Sequence, residues 1–439
     1  MREIDQPLRR RTFVAALAGS TALSQEVELT ARTQWQSAAG RDLFLSTYTP
    51  GTGLRLAPGD PVRLRFHNRL RETTNLHFHG LHVSPGGNAD NAFREVPPGE
   101  SAGYEFDLPS GHPGGTYWIH PHHHGMVAHQ LAQGLALPLI VEGLLDQIPE
   151  IARAPERILL LQDFDVNARG VPVEPSMMER MQGREGPLIL VRGEKTPAFP
   201  LENNGWLRLR IINASPSRFY RLAIDEHPLF QIASDGGALP GVLGLDELLL
   251  APGERAEVMV RGAREPGVYR LWNLPYDRGG MRFGSSAGPA EVIGLLRYQG
   301  EAESAWELPD RLATIDPRPA PERSRTFVLG QGGMMGFTIN GRLFDARRVD
   351  TVVKLGSVED WEFVNPNPMD HPMHVHTNPF QVLDAAGEPV RAWKDVVVVP
   401  AYGRVRVRMR FEDFVGSTFY HCHILDHEDL GMMGRLEIT

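Results

Sequence analysis

Asp60-Pro-Val-Arg-Leu-Arg-Phe-His-Asn68 alternates apolar and polar residues, as a half-buried β-strand does. The pattern returns in Trp206-Leu-Arg-Leu-Arg-Ile-Ile-Asn213 and again in Val358-Glu-Asp-Trp-Glu-Phe-Val-Asn365. Each copy ends in Asn, a residue suited to leaving a strand for a turn. A second strand follows each copy: Pro98 to Phe106, Pro252 to Val260 and, as a looser match, Pro400 to Met409. A third follows in turn, in Gly115-Thr-Tyr-Trp-Ile119, Gly267-Val-Tyr-Arg-Leu271 and Ser417-Thr-Phe-Tyr420. Three strands repeated three times in one order predict an all-β chain of three homologous β-sandwiches, over 25–145, 155–298 and 322–439. Little helix is expected, with Pro175 to Gln182 left as a short helix or loop.

Composition agrees with this architecture. The chain has 439 residues, enough for several domains at ~100–200 residues each. Its 45 Gly and 35 Pro suit a turn-rich β protein. A net charge of −9 gives no electrostatic footing for nucleic acid or for an anionic membrane. One cysteine, Cys422, cannot form an internal disulfide, and a lone thiol is a liability unless it has a task. Arg9-Arg10-Arg11-Thr12-Phe13 ahead of the apolar run Val14 to Leu23 resembles a twin-arginine export signal over 1–24, which predicts a periplasmic or secreted protein. No stretch of ~20 apolar residues predicts a transmembrane anchor.

The histidines carry the chemistry. Four pairs have His-x-His spacing: His77 and His79, His120 and His122, His374 and His376, His421 and His423. On a strand, residues i and i+2 share a face, so each pair aims two imidazoles at one point. Two pairs fall in the first sandwich and two in the last. The middle one has Tyr220-Arg-Leu222 and Arg270-Leu-Trp272 at the matching places, and is expected to act as a spacer that also helps shape the substrate face. Eight imidazoles meeting across the outer domains are too many for one ion and suit a cluster of three metals with room for dioxygen. Cys422 lies between two of these histidines and faces the other way, with His427 and Met432 following at Cys-x4-His-x4-Met spacing and His371 upstream. Two imidazoles, a thiolate and a weak thioether make the blue-copper set. Electrons are expected to enter through an exposed His427.

The motifs His77-Phe-His-Gly80, Trp118-Ile-His-Pro-His122, His371-Pro-Met-His-Val-His376 and His421-Cys-His-Ile-Leu-Asp-His427 resemble those of three-domain multicopper oxidases, most closely the bacterial laccase-like enzymes. The resemblance implies three consecutive cupredoxin-like Greek-key domains and four copper ions. His371, Cys422, His427 and Met432 would bind type 1 copper, and His77 and His374 type 2 copper. His79, His120, His122, His376, His421 and His423 would bind the type 3 pair. Thr377 departs from the Gly common in relatives after the third pair, with no change in ligation expected. Asp90 and Glu428 match family positions for carboxylates that supply protons to oxygen chemistry. The expected partners are dioxygen and a small reducing substrate, a phenol, an aromatic amine or a metal ion, acting on a monomer.

Several alternatives stand beside this reading. Met433 competes with Met432 as axial ligand, and His122 with His124 competes with His120 with His122. His82, His112, His123, His124 and His129 are otherwise expected outside the cluster. Met177, Met178 and Met181 could form a cuprous-ion site, because thioethers select Cu(I), although packing is their commoner role. Met334, Met335, Met369 and Met373 could line the rim of the type 1 site. A cuprous-ion oxidase shares the predicted site and differs only in donor. A copper nitrite reductase needs no cluster of eight histidines. An exported multicopper-like scaffold, such as a division factor, would tend to lose ligands.

Overall fold

The structure, a computed structural model, describes residues 26–280, 288–333 and 335–439. The proposed leader and Met334 lie outside the described residues.

The three repeated strands form as Pro61–Arg69, Trp206–Asn213 and Val358–Val364. Each pairs antiparallel with the second repeated element, as Val62 opposite Phe106, Leu209 opposite Val258 and Phe363 opposite Val405. Each also pairs parallel with an earlier strand of its domain, Val27–Ala38, Glu156–Phe164 or Arg323–Gln331. A parallel pair needs a crossover rather than a tight hairpin, so the chain passes between two sheets in every domain. The described residues form six sheets, two per domain, in the cupredoxin-like sandwich arrangement. Each domain has its own apolar core, around Phe66 and Phe78, around Leu209 and Val258, and around Trp361 and Phe363. A further cluster joins Trp118, Val127 and Leu131 of the first domain to Leu160 and Ile212 of the second and Leu425 of the third.

The first repeated strand is half-buried, with Val62, Leu64 and Phe66 inward and Arg63 and Arg65 outward. The middle one departs from that expectation and is buried along both faces. Its polar face meets other parts of the chain: Arg208 and Arg210 each donate to Asp146 at 2.8 Å, and both also pair with the buried Glu257. The stretch left open between helix and loop forms a helix, Met177–Gln182, after the N-cap Ser176. Ser176 Oγ accepts from the Glu179 backbone N–H, while the Glu179 carboxylate accepts from the Ser176 N–H.

Candidate metal centre

Sheet register assembles the site. The strand His77–His79 lies antiparallel to Gly115–His120 with His77 opposite His120. In the third domain His374 lies opposite His421 in the same way. Period-two geometry sends Phe78 into the first core and Cys422 into the third, so the flanking imidazoles face the domain boundary. There the two half-sites interleave. His77 stacks on His376 and His79 on His374, with ring centroids 3.9 Å apart in both pairs. All eight imidazoles are buried.

Their nitrogens converge. Nε2 of His421 lies 3.2 Å from Nε2 of His122 and 3.1 Å from Nε2 of His376. Nδ1 of His79 lies 3.3 Å from Nε2 of His120. Nε2 of His77, of His374 and of His423 are buried with no hydrogen-bond partner. Burial, then neighbouring imidazoles, lowers the proton affinity of His77, His120, His376 and His423 well below the ordinary value. Burial likewise holds His421 down to about 3. Neutral imidazoles facing one another with unpartnered nitrogens cost desolvation unless a cation takes their lone pairs. The donor set therefore fits a group of bound metal ions.

A second set gathers around Cys422, which follows His421 on the strand Gly416–Cys422 and faces the other way. Sγ of Cys422 is 3.5 Å from Nδ1 of His371 and 3.9 Å from Nδ1 of His427, and the two nitrogens are 3.4 Å apart. All three side chains are buried, and burial pushes the Cys422 thiol well above its usual range. A metal ion would draw out the thiolate instead. Met432 lies in the same apolar cluster as Cys422, with Met369 and Met373. Met433 belongs to another cluster, with Ala92 and Phe419. Met335 is exposed.

The expectation of an exposed His427 is overturned. Its ring is fully buried, with Phe337 stacked on it at 3.9 Å and its Nε2–H donating to the carbonyl oxygen of Met181 at 3.2 Å. The helix Met177–Gln182 of the middle domain covers it, held by Arg184, which donates to the neighbouring Asp426 at 2.7 Å. The reason was out of reach of local sequence, because the cover comes from another domain.

Asp90 and Glu428 both reach the imidazoles. Each carboxylate oxygen of Asp90 is 3.0 Å from Nδ1 of His77, and Oδ1 also accepts from the Phe78 backbone N–H at 2.9 Å. Glu428 lies 3.0 Å from Nδ1 of His421 and 3.5 Å from Nε2 of His122. Burial raises both carboxyls to about 7. The remaining histidines stand apart. His82 donates to the Thr377 carbonyl at 2.7 Å and approaches Asp413, while His112 accepts from the His82 N–H. His129 pairs with Glu174, and His124 packs on Phe344. Among the described residues no metal-ligand grouping includes His123. Thr377 adopts φ +67°, a left-handed conformation unfavourable for a β-branched residue, which accounts for a glycine preference there.

Sequence reading missed Asp395. Its carboxylate lies 3.0 Å from Nε2 of His79, and its backbone oxygen 2.8 Å from Nδ1 of His374. It also missed that the middle domain reaches the cluster, so that domain is more than a spacer. Gly253 lies so close that a Cβ there would sit 2.8 Å from the His423 ring.

Models of multicopper oxidase domains match residues 34–145, 159–301 and 318–439. The chain is 29% identical to a multicopper oxidase of Staphylococcus haemolyticus over 89% of its own length and 82% of that protein. It is 30% identical to the cell division protein FtsP of Edwardsiella tarda over 93% of this chain and 88% of that one. The solved multicopper oxidase of Campylobacter jejuni, described as a metallo-oxidase, superposes with a TM-score of 0.84 at 29% identity, covering 94% of this chain and 90% of that one. With repeat, register and histidine clusters in agreement along the whole described length, the chain belongs to the multicopper oxidase family.

Proposed function

We propose that this chain is a laccase-like oxidase binding four copper ions, which takes single electrons from a small donor and reduces dioxygen to two waters. The observation that carries this reading is the convergence of eight buried imidazoles beside a buried set of Cys422, His371 and His427. His371, Cys422, His427 and Met432 would hold type 1 copper, His77 and His374 type 2, and the other six imidazoles the type 3 pair. When bound, copper supplies one-electron redox chemistry and, across four ions, the four electrons dioxygen requires.

The chain does the rest. The peptide bonds joining Cys422 to His421 and His423 give electrons a short covalent path between the two sets. Asp90 orients Nδ1 of His77, and the Cys422 carbonyl that of His421. Asp90 and Glu428, the latter 3.0 Å from Nδ1 of His421, would hold protons beside the cluster. Four protons are needed for each dioxygen. The helix Met177–Gln182 excludes water from His427 and sets which donors approach. The protein would act in the periplasm or outside the cell, as a monomer. No helix among the described residues is long and apolar enough to cross a membrane.

The test is copper content with an absorption spectrum, then oxygen uptake with phenols, aromatic amines and Cu(I). Cys422→Ser should abolish blue colour and oxidase activity together; colour that survives would remove the type 1 assignment. Two other readings have support. Met177 and Met178 are exposed on the covering helix, which favours Cu(I) as donor, and poor Cu(I) turnover unaffected by their replacement would end that idea. The similarity to FtsP favours a non-catalytic division scaffold. Purified protein with far fewer than four coppers and no oxygen uptake would establish that reading instead.

A further inference from the structure

Arg255 belongs to the middle domain, which contributes no imidazole to either set, yet its side chain ends beside the histidine cluster. It is fully buried. Nη1 and Nη2 donate to the two carboxylate oxygens of Asp395 at 2.6 and 2.7 Å, a bidentate pair across the boundary with the third domain. Nε donates to the Thr116 carbonyl of the first domain at 3.0 Å, and Nη2 also donates to the Asp235 carbonyl at 2.8 Å. One guanidinium thus ties all three domains. Lys394, next to Asp395, is anchored the same way, 3.0 Å from Asp235 and 2.7 Å from Glu254.

Asp395 in turn sets two imidazoles. Its carboxylate accepts from Nε2–H of His79, which leaves Nδ1 of that ring bare. Its carbonyl accepts from Nδ1–H of His374, which leaves Nε2 bare and without a partner. These two rings, from opposite ends of the chain, are one of the stacked pairs. Gly80, at φ +87°, makes room for the arrangement. A Cβ there would lie 2.2 Å from Nη2 of Arg255 and 2.8 Å from Oδ2 of Asp395. The glycine closing the first His-x-His motif is thereby explained by the arginine.

We propose that Arg255 is the positioning residue that, through Asp395, fixes the ring orientation and tautomer of His79 and His374 for metal binding, so that the ligand-free domain completes the cluster. The inference rests on the copper reading above. A buried carboxylate without its guanidinium is an unpaired charge, and it loses the two hydrogen bonds that aim it at His79. Changes at partners of ligating histidines typically weaken metal binding about 10–100-fold.

The experiment uses the copper-loaded full chain, with parent, Arg255→Met, Arg255→Lys and Arg210→Met compared. Arg210 is an equally buried guanidinium that joins Thr116 to Glu257 and touches no imidazole. Chelator competition, the blue absorption and the type 2 electron paramagnetic resonance spectrum are read on each sample. Arg255→Met should keep the blue absorption, show a changed type 2 spectrum and lose cluster copper at about 10–100-fold lower chelator concentration. Arg255→Lys should fall between it and the parent, and Arg210→Met should lower the unfolding temperature with an unchanged type 2 spectrum. An Arg255→Met protein matching the parent in copper retention and type 2 spectrum overturns the proposal. So does an equal spectral change in Arg210→Met, which would signal loosened domain docking. If Arg255→Met does not fold, seen as absent blue colour, Arg255→Lys decides by the same readings. A parent chain short of four coppers refutes the copper reading itself, before any variant is compared, and this proposal falls with it.

Discussion

The carbonyl oxygen of Met181 accepts a hydrogen bond from Nε2–H of His427 at 3.2 Å, so backbone of the middle domain closes off that imidazole from solvent. The short helix bearing Met181 is capped by Ser176. Removing such a cap costs about 0.5–2 kcal/mol. Ser176→Ala should loosen the cover and raise kcat/KM for bulky phenols relative to small donors, by at most about thirtyfold, the equivalent of ~2 kcal/mol. Steady-state kinetics over a size series of donors checks this. An unchanged ratio would mean the helix is not the barrier.

Met432 and Met433 face different clusters, and only Met432 shares one with Cys422. Met432→Leu should raise the reduction potential of the type 1 site, because a thioether donor is replaced by an apolar group. The volume change is small, so the stability cost should stay below about 1.5 kcal/mol. Redox titration of the blue absorption is the measurement, and a potential that moves only in Met433→Leu would reassign the axial ligand.

Glu428 lies within 3.5 Å of two imidazoles of the cluster, those of His122 and His421. Glu428→Gln keeps the shape and removes the proton. Turnover should fall by about 100-fold, the lower end for loss of a general acid, with blue colour, copper content and single-electron reduction of the type 1 site retained. Asp90→Asn should act in the same direction through His77. Stopped-flow reduction and reoxidation separate the two half-reactions, and a defect confined to reduction would contradict the assignment.

Metal-free protein should lose stability in acid. Burial lowers nine of the clustered imidazoles, His122 to about 4 and His371 and His421 to about 3. The unfolded chain therefore binds more protons below about pH 6.5, at up to ~1.4 kcal/mol per pH unit for each imidazole. Stability is full above that point and falls as pH drops toward the folded values. Asp90, Glu428 and Asp429 are raised to about 7, 7 and 8 and oppose this, since they favour the fold when protonated. Nine groups against three give the sign. Thermal unfolding of the apoprotein between about pH 7 and 5 should show a falling Tm, and a rising one would show that the carboxylates dominate.

What the sequence discloses here follows from periodicity. His77 and His79 share a face because strands repeat every two residues, and Cys422 turns away from His421 for the same reason. The threefold strand repeat and the ligand types are local patterns and legible as such. Asp395 and Arg255 are not, because their meeting joins positions 140 residues apart across two domains. The helix over His427 was half legible. Ser176-Met-Met-Glu179 is a capping-box pattern that signals a helix start, but nothing local says that the helix lies on a residue 246 positions away. The full burial of Trp206–Asn213 was hidden likewise, since Arg208 and Arg210 look solvent-facing until Asp146 and Glu257 arrive.

The stacking of His77 on His376 and of His79 on His374 has a consequence for biosynthesis. A ribosome delivers the first member of each pair long before the second, and His421 and His423 emerge later still. Until then the amino-terminal histidines lack the rings that stack on them. The finished centre is therefore a late event, because it exists only once the first and third domains have met.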